Sequence, residues 1–232
     1  MPRKWLLAAL LTYLHLKSRT ETAMSSFRSI DVEKWERKEQ LHFFSNYDTP
    51  FFGFTTELDD SILKYTRSKR YSFFAVGLFA SQRQVNLIPQ FRYRIKGAEL
   101  VEYLEISAGS TVLKTNQMFT FCHFDYFQVF HGQVKDRVAL CSTASARLDD
   151  PAQVHYSVIP WIHSSALSHL YNYRTDDSIS KIVFGEYSET DDRTRMPVSV
   201  EAHHSSMDGS HLGVYFEGLQ HSINYPETLL EG

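Results

Sequence analysis

A neutral imidazole held still among apolar side chains can take a proton from a hydroxyl near pH 7. The segment His203-His204-Ser205-Ser206-Met207-Asp208-Gly209 follows directly on the alternating run Val198-Ser199-Val200-Glu201-Ala202 and sets one histidine in that situation. Side chains of a strand alternate between faces, so His204 shares a face with Ala202, Val200 and Val198, and His203 shares the other with Glu201 and Ser199. His204 therefore ends an apolar stripe and is the candidate general base. Asp208-Gly209 is a turn signal, with the glycine freeing the backbone for a tight reversal at the mouth of a sheet. Leu212, Phe216, Leu219 and Ile223 then recur at helical spacing and predict an amphipathic helix. Asp208 invites a triad in which it orients His204. Two other readings stand beside this one: a doubled histidine at a strand end with no chemical role, and a metal site through His203, His204 and His211. The second is geometrically awkward, because adjacent strand residues diverge and no cysteine cluster lies at ligand spacing.

These residues must be positioned by a sizeable core, and the composition supplies one: 43% of the 232 residues are hydrophobic and 14% aromatic, with no linker dividing the chain. A net charge of -3 argues against nucleic acid as a partner, since phosphate binding needs a basic face. The cluster Lys64, Arg67, Lys69 and Arg70 reads as a solvated helix end. Cys122 and Cys141 are too few for a disulfide framework and read as reduced, buried thiols of a cytosolic protein. Arg3 and Lys4 before the apolar stretch Trp5 to Leu14 imitate a secretory signal, but Glu21 before Thr22-Ala23 makes a poor cleavage site. That stretch is also shorter than the ~20 apolar residues of a bilayer span, so no membrane association is expected. Residues 1–23 are read as an N-terminal extension, an upstream start or a disordered tail, ahead of a single domain at 24–232.

Element by element, Asp31 is a candidate N-cap for a helix reaching Phe44, with Arg37, Leu41 and Phe44 on one face. Strands are predicted at Thr55 to Leu58, at Phe91 to Ile95 and Leu100 to Ile106 around a Lys96-Gly97 turn, and at Phe119 to Phe124. Further strands fall near His155 to Ile159, Ile179 to Tyr187 and Arg195 to His204. Tyr71 to Val85 and Tyr126 to Ala146 read as helices. Helices and strands are mixed without a regular βαβ repeat, which favours an α+β two-layer sandwich with a mixed sheet.

On these residues the sequence resembles the chloramphenicol acetyltransferase family. The resemblance is carried by His-His-x-x-x-Asp-Gly at 203–209, by Asp31-x-x-x-Trp35-x-Arg37-Lys38-Glu39, by Tyr156-Ser157-Val158-Ile159-Pro160-Trp161, and by Asp177 to Tyr187 followed by Met196-Pro197-Val198-Ser199-Val200. Their order and spacing hold over about residues 27 to 225. What the resemblance implies is an acetyl-CoA-dependent O-acetyltransferase of the CoA-dependent acyltransferase fold, with no tightly bound cofactor and no metal. His204 takes the proton as the acceptor hydroxyl attacks acetyl-CoA directly. Ser157 matches the family's donor to the developing oxyanion, and one such donor contributes about 3 kcal/mol. No Gly-x-Ser-x-Gly occurs in the chain, so a covalent acyl-serine is not expected.

The same resemblance pairs Asp208 with Arg37 as structural support of the site, rather than with His204. It sets Trp161 on the pantetheine of CoA and Phe44, Phe52 and Phe119 in the acceptor pocket. It also implies a cytoplasmic homotrimer with each active site between subunits, conferring antibiotic resistance. This chain departs from the family in four places: Phe44 replaces a pocket tyrosine, His169 falls near a pocket leucine, Val183 replaces a threonine, and Glu186 replaces the lysine of Gly-Lys-Tyr. These departures leave the acyl-transfer residues in place and bear on the acceptor, chloramphenicol or another alcohol or amine. The related acyltransferase cores of 2-oxoacid dehydrogenase complexes share the histidine motif but usually follow a lipoyl domain, for which no segment is seen. A non-catalytic scaffold is disfavoured by the joint presence of His204, Asp208, Arg37 and Ser157.

Overall fold

The computed structural model describes residues 26–59, 61–114, 118–124, 150–169, 177–190 and 193–230. The expected helix at Tyr126 to Ala146 and the N-terminal extension at 1–23 lie outside them. The described elements form the expected α+β arrangement, a mixed sheet with helices packed on one face.

Six strands run through the main sheet, in the order β2 (Phe51–Asp59), β10 (Arg193–His203), β8 (Lys181–Phe184), β7 (Gln153–Val158), β5 (Ser107–Leu113) and β6 (Phe119–Phe124). β8 pairs parallel with β7 and β7 parallel with β5, and the other contacts in this row are antiparallel. A short β9 (Ser188–Thr190) adds to the start of β10. A second, three-stranded antiparallel sheet joins β1 (Phe27–Ser29), β4 (Glu99–Tyr103) and β3 (Tyr93–Lys96), with Gly97 at φ +59 in the β3–β4 turn where only glycine is unstrained. The helices are α1 (Lys38–Phe44), α2 (Ser61–Lys69), α3 (Phe73–Leu87), α4 (Gly209–Asn224) and α5 (Pro226–Leu230). Among the described residues no helix is long and apolar enough to cross a membrane.

Strand alternation decides which face the helices cover. Val198, Val200 and Ala202 of β10 are buried in the hydrophobic core with Ile182, Val154, Leu212 and Leu219. Their neighbours Ser199, Glu201 and His203 are also buried, on the opposite, polar face. A hydroxyl relay ties sheet to helices: Ser81 of α3 lies 2.9 Å from the Tyr156 hydroxyl of β7 and 2.6 Å from the Tyr215 hydroxyl of α4. All three groups are buried and partnered, so the relay costs no unmet polar group. At the β2–β10 contact Gly53 is required by space, because a Cβ there would sit 2.7 Å from Glu201 Cγ and 3.0 Å from the Val200 carbonyl.

Several expectations are corrected. The helix from Asp31 to Phe44 is broken: Asp31 precedes a one-turn 3-10 segment, Val32–Lys34, without a side-chain capping bond, and the α-helix starts only at Lys38. The break turns Trp35 inward, edge-on to Tyr93 at 5.3 Å, and buries Arg37 toward the far end of β10. Cys122 is not a reduced thiol but disulfide-bonded and fully buried; Cys141 lies outside the described residues. The strand expected over Ile179 to Tyr187 is only Lys181–Phe184. Gly185 N–H still donates to the Pro197 carbonyl of β10, and the backbone leaves the ladder at Glu186, whose N–H donates to the Ile162 carbonyl.

Candidate active site

His204 is the first residue past β10, in the turn leading to α4. Its backbone N–H donates to the Pro50 carbonyl at 2.7 Å, which seats it against the start of β2. The ring is stacked between two phenylalanines, Phe44 at 4.0 Å and 9° between planes, and Phe52 at 4.2 Å and 30°. Its Nδ1 lies 3.1 Å from the Met207 carbonyl. A carbonyl can only accept, so Nδ1 carries the proton and Nε2 presents the lone pair. Two expected acceptor-pocket residues, Phe44 and Phe52, are thus in direct contact with the candidate base.

Arg37 and Asp208 also meet here. Arg37 Nη1 donates to Asp208 at 2.8 Å, and its Nη2 donates to the His204 carbonyl at 3.3 Å. Asp208 does not touch the imidazole of His204, which removes the triad. Instead it is the N-cap of α4, accepting from the Ser210 N–H, while its own N–H donates to His211 Nδ1 in a capping box. Partial burial acts to raise the Asp208 pKa, but hydrogen bonds from Ser210 and Arg37 and the charge of Arg37 outweigh it and hold the carboxyl well below the usual range. Gly209 is the first helical residue rather than a reversal with positive φ, so its conformational freedom is not used there. The metal arrangement dissolves as well, since His211 faces Asp208 and the His203 ring faces the Ser205 N–H.

Ser157 stands elsewhere. It lies opposite Val183, which lies opposite Ser199, five residues before His204 along β10. With about 3.3 Å per residue and about 4.8 Å between strands, Ser157 and His204 of one chain are on the order of 20 Å apart. Ser157 Oγ is instead 3.2 Å from Thr111 Oγ1 of β5. Phe119, on the edge strand β6, is 66% exposed and pairs with Leu113, still farther from His204. Two of the expected site residues are therefore separated from the others within a single chain.

Trp161 is 60% exposed and sits on a loop pinned from both sides. His163, two residues on, donates from Nδ1 to the Glu186 carbonyl at 2.9 Å and from Nε2 to Glu57 at 3.0 Å. Both ring nitrogens face acceptors, so the cation is favoured: the Glu186 carbonyl first and the Glu57 carboxylate second raise the His163 pKa. Glu57 is lowered in turn by His163 and then by Arg195. Glu186 contributes its backbone here, and the neighbouring Tyr187 hydroxyl accepts from Arg67 at 3.2 Å, so the basic end of α2 is engaged rather than merely solvated. Val183 is buried, and the backbone N–H of His169 donates to Glu201 at 3.3 Å.

Sequence reasoning passed over Phe54 and Thr111. Phe54 is 56% exposed and meets Phe52 edge-on at 6.1 Å, extending the aromatic wall beside His204. The i, i+2 pair in Phe52-Gly53-Phe54 was the available signal. Thr111, by contrast, is revealed only by the parallel register of β5 on β7.

Residues 25–220 match the family model described as chloramphenicol acetyltransferase. Chloramphenicol acetyltransferase 3 of Escherichia coli is 24% identical over 208 residues, covering 86% of this chain and 98% of its own length. A chloramphenicol acetyltransferase of Klebsiella sp. is 26% identical over 211 residues, with 86% and 95% covered. A solved chloramphenicol acetyltransferase shares the fold at a TM-score of 0.73 and 24% identity, covering 85% of this chain and 100% of that one. A probable dihydrolipoamide acetyltransferase from Listeria monocytogenes shares it at a TM-score of 0.60 and 11% identity, covering 81% and 89%.

Proposed function

The chain belongs to the chloramphenicol acetyltransferase family, and from that premise we propose that it transfers the acetyl group of acetyl-CoA to a hydroxyl of chloramphenicol, with His204 as general base. The observation that carries this reading is the fixed tautomer of His204, whose Nδ1–H is spent on the Met207 carbonyl so that Nε2 is free to accept a proton. As Nε2 takes the acceptor's hydroxyl proton, the oxygen attacks the thioester carbonyl. Negative charge then develops on the former thioester oxygen, and the Ser157 hydroxyl donates to it. Collapse breaks the carbon–sulfur bond, and the CoA thiolate takes the proton back from the imidazolium. Acetyl ester and free CoA leave.

Because His204 and Ser157 of one chain are too far apart to act on one substrate, the reaction needs His204 from one copy and Ser157 from another. A ring of identical subunits satisfies that with one contact repeated, and the family's homotrimer is such a ring. Trp161 and the exposed loop around it would receive the pantetheine arm of acetyl-CoA. The setting proposed is an enzyme conferring chloramphenicol resistance; its cytoplasmic placement rests on the family resemblance alone, since the disulfide at Cys122 removes the argument from reduced thiols.

Phe44, which replaces the family's tyrosine and lies flat on His204, favours one second reading, acetylation of another alcohol or amine on an apolar body. Two assays separate them. Expression in a chloramphenicol-sensitive host, run beside release of CoA thiol by purified protein, should give resistance and chloramphenicol-dependent thiol release. Thiol release with other acceptors but not with chloramphenicol would leave the second reading standing.

A further inference from the structure

The doubled histidine gives the base to His204 and leaves its neighbour without a task. His203 closes β10, is 6% exposed, and lies edge-on to Phe51 at 5.2 Å. The turn that follows is organised around it. Its carbonyl accepts from the backbone N–H of Ser206 at 3.1 Å, from that of Met207 at 3.2 Å and from the Ser206 hydroxyl at 3.1 Å. Its ring accepts too, Nδ1 taking the backbone N–H of Ser205 at 3.3 Å. A side-chain acceptor bonded to the N–H two residues on is the geometry by which aspartate and asparagine fix turns, here supplied by an imidazole. The far end of this turn is Met207, whose carbonyl fixes the tautomer of His204.

We infer that His203 is a positioning residue for the base. Its Nδ1 holds the Ser205 N–H, the turn holds the Met207 carbonyl, and that carbonyl holds the proton of His204 on Nδ1. The adjacent imidazoles therefore carry their protons on opposite nitrogens: His203 on Nε2, leaving Nδ1 to accept, and His204 on Nδ1, leaving Nε2 to accept. The two adjacent imidazoles thus do different jobs, one as acceptor for the turn and one as base. The neutral form on which this depends is secured by surroundings. Burial is the main cause and lowers the His203 pKa to about 4; Asp177 acts to raise it, while Lys181 and His204 lower it further. Lys181 and Asp177 are themselves paired at 3.1 Å, and Phe51, facing from β2, brings no charge.

This inference rests on the reading of His204 as the base, and the test separates the two. His203→Asn keeps an acceptor where Nδ1 stands, His203→Gln moves it outward, and His203→Ala removes it. With acetyl-CoA and chloramphenicol, kcat of the Asn variant should stay within about threefold of wild type, whereas Gln and Ala should lose about 10- to 100-fold with KM unchanged. Imidazole nitrogen shifts by NMR, which need no turnover, should show His204 protonated on Nδ1 in wild type and Asn, and mixed tautomers in Gln. Wild-type kcat in Gln or Ala, Asn falling as far as Ala, or a single His204 tautomer in all variants would overturn the inference. The Asn–Gln comparison keeps it exposed where Ala does not fold. Full activity in His204→Ala would overturn the base assignment itself, whatever His203 does.

Discussion

The two ends of the main sheet are built differently. At the β2–β10 end, His204 is bonded through its ring, its N–H and its carbonyl, stacked between Phe44 and Phe52, and backed by the buried Arg37 and by Asp208. At the β7–β5–β6 end, Ser157 has Thr111 beside it and Phe119 is mostly exposed. One end is a finished half of an active site and the other is an open half. A rigid base with a fixed tautomer has to be made within one chain, because its geometry is local. An oxyanion donor and an apolar shelf can be presented to a neighbour, since they act on what arrives.

The largest test of this contrast is His204→Ala, expected to lower kcat by about 10³-fold in the thiol-release assay through loss of the general base. Ser157→Ala should cost about 10²-fold, with KM for chloramphenicol little changed. Refolding these two variants together sharpens the comparison: in a ring that shares its sites, about a quarter of the sites regain both wild-type residues, and activity should return to that level. Mixtures no more active than either variant alone would put both halves in one chain.

Smaller effects follow at the finished end. Asp208→Asn strips Arg37 of its counter-charge. Asp208 is partly open to solvent, so the expected loss is about 2 kcal/mol in denaturant melts, below the 3–5 kcal/mol of a fully buried pair. Its carboxyl is held below the ordinary value, so this contribution is present above about pH 4 and lost as pH falls further. The Asn variant should lack that acid slope. Smallest is Phe44→Ala, where losing one stacked ring of the sandwich, about 0.5–1.5 kcal/mol, should lower kcat by up to about tenfold. An unchanged kcat would mean that Phe52 and the Met207 carbonyl suffice to hold the imidazole.

How much of this is legible in the sequence depends on the range of the interaction. β10 could be read to within two residues because Val198, Val200 and Ala202 alternate cleanly against Ser199 and Glu201. β5 could not: Ser107-Ala108-Gly109-Ser110-Thr111 has little apolar contrast, and Gly109 is there because Phe121 and Gln153 occupy the space a side chain would fill. The break at Trp35 answers to Tyr93, far along the chain, and so leaves no mark on helical spacing. Arg37 and Asp208 are 171 residues apart, and only the family resemblance paired them. The separation of Ser157 from His204 appears only when the register of three strands is counted across the sheet.

Gly53 bears on how freely this sequence can drift. It has no reactive atom and contacts no proposed substrate, yet an added methyl would meet Glu201 Cγ and the Val200 carbonyl and push β2 away from β10. β2 carries Phe52 to His204 and begins at the Pro50 carbonyl that seats His204. The allowed alphabet at position 53 is thereby reduced to one letter by an absence of matter, and a search for chemically active side chains would pass it by.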